Sequence, residues 1–117
     1  MRLSPALVLT VSLVLTPLPT LAHHGWGSYE STRPLTIEAL IEEVMLGNPH
    51  GMLVVSHDGK RWEVTLAPLS RMQVRGATAE IVAKGKRVKV YGYPRRDGSA
   101  EMRAEWIEID GKRFELR

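Results

Sequence analysis

From residue 35 onward, apolar and polar residues alternate in short runs. Ile37, Ala39 and Ile41 alternate with Thr36, Glu38 and Glu42, the two-residue period of a strand with one buried face. After the Glu42-Glu43 pair the phase flips, and Val44 and Leu46 carry the apolar side. A flip inside one strand over 35–46 predicts a bulge and a bend, as where a sheet curls on itself. A helix competes for the Glu-rich middle of this run, and the β-rich pattern downstream decides for strand. Gly47-Asn48-Pro49-His50-Gly51 predicts a turn, because proline restrains the chain and glycine permits sharp reversal. A short strand over 52–56 follows, then an Asp58-Gly59 hairpin turn. The chain returns over 61–66 with Trp62, Val64 and Leu66 on one side and Arg61, Glu63 and Thr65 on the other.

The period changes over 68–82. Pro68 opens a helical turn carrying Leu69 and Met72, and Gly76 stops it. Thr78 caps a second short helix over 79–83, which ends at Lys84-Gly85. Residues 87–93 predict a strand with Val88 and Val90 inward. Residues 94–99 predict a polar turn. In a last long strand over 101–109, Met102, Ala104 and Trp106 share a face before Ile107 and Ile109 shift phase, which predicts a second bulge. Asp110-Gly111 turns the chain into a final strand over 113–116. Three strands, a helical connector and two or three more strands match a mainly β fold. It is a small five- to six-stranded OB-like (oligonucleotide/oligosaccharide-binding) antiparallel barrel with one short helical connector.

The sequence before residue 35 divides in two. Arg2, an apolar run over 6–15, Pro17 and Pro19, and then Thr20 and Ala22 as small residues predict a signal peptide over 1–22, cut before His23. Spanning a membrane takes roughly 20 apolar residues, and Thr10, Ser12, Thr16 and two prolines interrupt this run. Neither a twin arginine nor a lipobox cysteine is present, so the expectation is a general-export, periplasmic or secreted protein with no transmembrane segment after processing. Residues 23–34 are polar and non-periodic and read as an N-terminal arm, leaving 35–117 as the single domain. The arm's 12 residues reach roughly 40 Å when extended, so it can dock almost anywhere on the domain.

Composition narrows the chemistry. Of 117 residues none is cysteine, which excludes disulfides, thiolate metal sites and cysteine nucleophiles. Net charge is +3, and +2 once Arg2 leaves with the signal, too mild to imply a polyanionic partner.

His23-His24-Gly25-Trp26, Asn48-Pro49-His50, Gly76-Ala77-Thr78 and Gly92-Tyr93-Pro94 together resemble a family of small exported bacterial proteins of unknown function. That family has a His-His mature N-terminus and an Asn-Pro-His turn after its first strand. The resemblance spans essentially the whole mature chain. It implies export and a small barrel, and it implies no activity.

Cleavage after Ala22 gives His23 a free α-amine beside its own imidazole, a ready six-membered chelate. A third nitrogen from His50 or His24 completes a T-shaped set that suits Cu(II), with Zn(II) less favoured. An amine with a pKa near 8 makes such binding weaken in mild acid. A solvated arm and a turn residue satisfying local backbone are the plainer reading of the same histidines. His57, in the hairpin turn, reads as a surface residue.

A second candidate is the stretch Lys84 to Arg96. Arg87, Lys89, Tyr91 and Tyr93 share the face opposite Val88 and Val90, and cations beside flat rings suit a sugar chain or another polyanion. The alternative function is therefore a module binding an envelope component (acidic glycan, lipid or protein); export argues against nucleic acid. A solubilising face is the plainer reading here. Trp62 and Trp106 read as core, and Trp26 as an anchor of the arm. Met45, Met52, Met72 and Met102 read mostly as core and form no thioether cluster. No nucleophile elbow or phosphate loop is present, and Glu42 and Glu43 point to opposite faces. The expectation is a small exported binding protein, not an enzyme, with copper first among its ligands.

Overall fold

The structure, a computed structural model, describes residues 2–4 and 26–117. Among the described residues seven strands form one curled sheet: β1 (Leu35–Leu40), β2 (Glu43–Leu46), β3 (Gly51–His57), β4 (Lys60–Thr65), β5 (Arg87–Pro94), β6 (Glu101–Ile109) and β7 (Lys112–Glu115), with one short α-helix, α1 (Leu69–Val74). The strand order is β1-β5-β6-β4-β3-β2, with β7 on β6. The strand expected over 35–46 is split at Ile41-Glu42, which raises the strand count to seven. There the chain changes partners. The Ile41 N–H donates to the Lys86 carbonyl at 2.8 Å, and the next N–H, of Glu42, donates to Val54 at 2.9 Å. β1 and β2 are the two ends of the sheet and are joined by this bend, not by a ladder, so the sheet curls but is not closed. All pairings are antiparallel except β4 with β6, which run parallel over Glu63–Thr65 and Glu101–Arg103, the one departure from the antiparallel expectation.

The inward faces supply the core. Ile37, Ile41, Leu53, Val55, Val64, Val88, Val90, Met102, Ile107 and Phe114 are all buried, and no charged or polar residue among the described ones is. Apolar burial of this kind is the main favourable term in holding the sheet curled. Pro68 caps the start of α1, where its missing N–H costs nothing. The helix plugs one end of the sheet with Met72. A Cβ added at Gly51 would lie 2.8 Å from the Met72 sulfur, so the helix seats directly on the base of the Gly47–His50 turn.

Two expectations are corrected. The second helix over 79–83 does not form. Only a few residues separate Thr78 from Gly85, and a nucleus that short is unfavourable. Instead Thr78 accepts from Ile81 and Val82 in tight turns, Val82 enters the core, and the Gly85 N–H donates to Ile41 at 2.8 Å, with glycine at φ +87°. The second correction is Trp106. Tyr91 pairs with Trp106 and Gly92 with Ala104, so Glu105 is the extra residue of a bulge. The phase shift falls before Trp106, not after it, and turns the indole outward. Trp62, by contrast, packs against the core as expected.

Candidate functional site

One row of side chains crosses the outer face of the sheet. Met45 on β2 pairs with Met52 on β3, Met52 with Thr65 on β4, Thr65 with Arg103 on β6, and Arg103 with Tyr93 on β5. Paired residues point to the same face, so the row is continuous. Above it lies a cleft of about 460 Å³. Its floor is Met45, Met52, Thr65 and Arg103. Gly47 to His50 form one wall, and Arg95, Glu101 and Tyr29 the other. Arg95 donates to Glu101 at 2.9 Å and sits 3.6 Å from Asp97, so this wall is charge-paired. His50 is half-buried in its turn, two residues before Met52 and therefore on the same side of the sheet.

The arm is not a loose tail over its described part. The Glu30 N–H donates to Pro94 at 2.8 Å, and the Arg96 N–H donates to the Ser28 carbonyl at 3.0 Å. The Arg96 Nε–H donates to the Tyr29 carbonyl at 3.1 Å. Tyr29 bridges to Arg95 and is buried. Trp26, in a 3-10 turn over Trp26–Ser28, carries two guanidinium groups, those of Arg103 and Arg117, each 4.1 Å from its ring centroid. Edge contacts join Trp26 to Tyr29 at 6.5 Å and to Tyr93 at 6.0 Å. This bears out the expectation that Trp26 anchors the arm. Burial lowers the pKa of the Arg103 guanidinium; nearby Tyr29 opposes that effect, and the positive charges of Arg117 and Arg71 add to it.

The bulge residue Glu105 ties the clasp together. It accepts from the Tyr93 hydroxyl at 2.8 Å and pairs with Arg117 at 3.1 Å, which orients Arg117 over Trp26. The hydrogen bond to Glu105 holds the Tyr93 phenol above its ordinary value, with burial and the Glu105 charge adding to it. A raised acid pKa stabilises the fold fully below the unfolded value, near 10, and the contribution is lost as pH climbs through the higher folded value. Tyr93→Phe should therefore remove a phenol that ionises above the ordinary value from an ultraviolet titration and soften the loss of stability at strongly alkaline pH. Identical titrations for wild type and variant would refute this.

The structure treats the sequence-derived candidates unequally. His23 and His24 lie outside the described residues. His50 lines the cleft. His57 sits 3.3 Å from Asp58 at the hairpin tip, away from it. Arg87, Lys89, Tyr91 and Tyr93 do share the outward face, but they do not form one open surface. Tyr91 stacks on Trp106 at 5.3 Å, and Arg113 covers that indole at 3.8 Å. Tyr93 joins the clasp. Lys89 stands between Glu38 and Glu108 in register. Arg87 lies at the far end, opposite Leu40. Within the wider basic stretch, Lys86 pairs with Asp110 at 2.7 Å. Among the described residues no three His, Cys, Asp or Glu side chains gather as a metal site, and no helix is long and apolar enough to cross a membrane.

Sequence reasoning missed four contributors. Tyr29 was read as part of a polar arm. Nothing in the strand pattern over 101–109 singles out Arg103. Met72 and Met102 are buried as expected, but Met45 is 62% exposed and Met52 half-buried, both on the cleft floor. The alternation of 45 and 52 about the turn carried that signal, because equal distances from a hairpin centre place residues opposite one another.

Comparison with known proteins supports the fold. The crystal structure of the S. pombe Stn1-ten1 complex contains a chain with TM-score 0.53 at 20% identity, over 66% of this chain and 57% of that one. A ZRD-deleted mutant of TiaS in complex with agmatine gives TM-score 0.53 at 18% identity, over 74% of this chain and 27% of that one. This protein thus spans only part of each neighbour's length, and the likeness is one of OB-type fold. No curated protein sequence matches the chain. The sequence model described as "Family of unknown function (DUF6152)" matches residues 11–104, and the chain belongs to that family.

Proposed function

We propose that the protein is exported, cut after Ala22, and binds copper in the cleft through the α-amine and imidazole of His23 together with His50, as a binding protein and not a catalyst. His24 is the alternative third nitrogen. The observation that carries this reading is that Tyr29 of the arm and His50 of the turn line the same cleft. Trp26, three residues after His23, packs on Arg103, which belongs to the cleft floor. Three residues reach roughly 10 Å. Arg103 and Met52 are two strand spacings apart, again roughly 10 Å. The span from the anchored arm to the turn is therefore of the length the chain can cover.

An amine, its own imidazole and a second imidazole form a nitrogen set suited to tetragonal Cu(II). All three must be deprotonated, so affinity falls as pH drops through the amine range near 8 and the imidazole range near 6.5. The test compares the processed protein with one carrying three extra alanines before His23, which keeps either histidine from becoming the third residue of a new amine-amide chelate, using Cu(II) calorimetry and electron paramagnetic resonance. The extension converts the amine to a peptide and should weaken Cu(II) by about tenfold or more, with a changed nitrogen hyperfine pattern. His50→Ala should weaken it as well while leaving the melt intact. Unchanged Cu(II) affinity in the extended protein sinks the chelate.

A further inference from the structure

We propose that the same cleft also takes Cu(I), held by the thioethers of Met45 and Met52 with the His50 imidazole beside them. This rests on reading the cleft as a metal site, but not on the N-terminal amine. Met45 is among the few large apolar side chains left mostly exposed among the described residues. It stands directly opposite Met52 across the β2–β3 ladder. Facing residues in such a pair have Cβ atoms roughly 4.5–5.5 Å apart. Each methionine adds three rotatable bonds, so the two sulfurs can converge on one ion without moving the backbone. His50 lies two residues before Met52 and lines the same cleft. Soft thioether ligands select Cu(I), and imidazole accepts it. The carboxylate of the cleft, Glu101, is paired with Arg95 at 2.9 Å, which leaves the soft donors to define the ligand preference. The rest of the row turns polar at Thr65 and cationic at Arg103, so the soft end of the cleft is confined to the β2–β3 hairpin.

The test is an anaerobic titration of processed protein with Cu(I) against a chromophoric Cu(I) chelator, repeated on Met45→Leu/Met52→Leu. Leucine conserves volume and leaves the fold intact, which a thermal melt verifies. The double variant should bind Cu(I) about tenfold or more weakly, a loss larger than any in its Cu(II) affinity. X-ray absorption of the wild-type Cu(I) form should show sulfur scatterers that the double variant lacks. The alanine extension before His23 should do the reverse, weakening Cu(II) and sparing Cu(I). Unchanged Cu(I) affinity in the double variant overturns the thioether site, whatever the extended protein does. Loss of Cu(I) on extension, with none in the double variant, overturns it too.

Discussion

Gly92→Ala should cost this fold about 3 kcal/mol or more, because the new methyl has nowhere to go. A Cβ at Gly92 would run into the Arg103 carbonyl oxygen and lie 2.8 Å from the Ala104 Cα. Both are backbone atoms, so no side-chain rotation relieves the overlap. The close approach arises at the bulge: the register of β5 and β6 shifts at Tyr91/Gly92, with Glu105 inserted on β6. The extra residue increases local coiling, and the strands can coil that tightly only where one of them has no side chain. For a domain of this size each kcal/mol shifts the melting temperature by roughly 4–8 °C, so the variant should melt about 12–24 °C lower. Gly47→Ala is the control, because a Cβ there meets nothing within 4 Å. A circular-dichroism melt of Gly92→Ala within a few degrees of wild type would show that the bulge can relax. The same variant should also disturb Trp106, Glu105 and Arg103, and through them the arm.

Trp26→Ala is the second large effect. The ring holds two guanidinium groups, each worth about 0.5–1 kcal/mol at a partly exposed site. It also makes two edge contacts worth about 0.5–1.5 kcal/mol apiece. They act beside the buried Tyr29 side chain, the Arg96 Nε–H bond to the Tyr29 carbonyl and the backbone bonds to Pro94 and Arg96 in fixing residues 26–30. The expected result is faster hydrogen exchange at the amides of Glu30 and Arg96, which bond to Pro94 and Ser28 respectively, while Val90 in the core keeps its protection. If His23 chelates copper beside His50, releasing the arm should also lower Cu(II) affinity by about tenfold to a hundredfold, since the bound geometry is then rarely populated. Unaltered exchange at Glu30 would mean that the backbone bonds, the buried Tyr29 and the Arg96 side chain hold the arm without the indole. Trp26→Phe should be intermediate, because a phenyl ring attracts the same cations more weakly than an indole.

Much of the fold was legible in the alternation of residues. The strands over 52–56 and 61–66, the Asp58-Gly59 turn, the Pro68 helix and the inward faces of β5 all follow from local periodicity and turn chemistry. The phase flip at Glu42-Glu43 announced a bend, because an apolar face must stay on the core side even as the strand crosses from one partner to another. The misreadings share one cause. Trp106 was assigned inward because a bulge placed after it and a bulge placed before it leave similar patterns. Only the pairing of Tyr91 with Trp106 and Gly92 with Ala104 distinguishes them. Residues 79–83 had a cap and a stop, yet the core needed Val82 more than those few residues needed helical bonds.

The candidate site divides the same way. The types of donor were readable: histidines outside the strand cores, no cysteine, and an N-terminal histidine conditional on one cleaved bond. Their grouping was not, because side chains distant in sequence meet only through register. Met45 meets Met52, and Arg103 lies in line with both, because three pairings stack in one row. The basic-aromatic strand read as a candidate binding face or, more plainly, as a solubilising one. In the folded chain Tyr91 and Tyr93 are taken up by Trp106, Glu105 and Trp26. By itself the sequence determined the elements, their order and the available chemistry, since those depend on short-range period and residue type. Tertiary structure alone decided which outward residues form a cleft and which satisfy one another, since that depends on strand register, on one inserted residue at Glu105, and on where a tryptophan from the arm comes to rest.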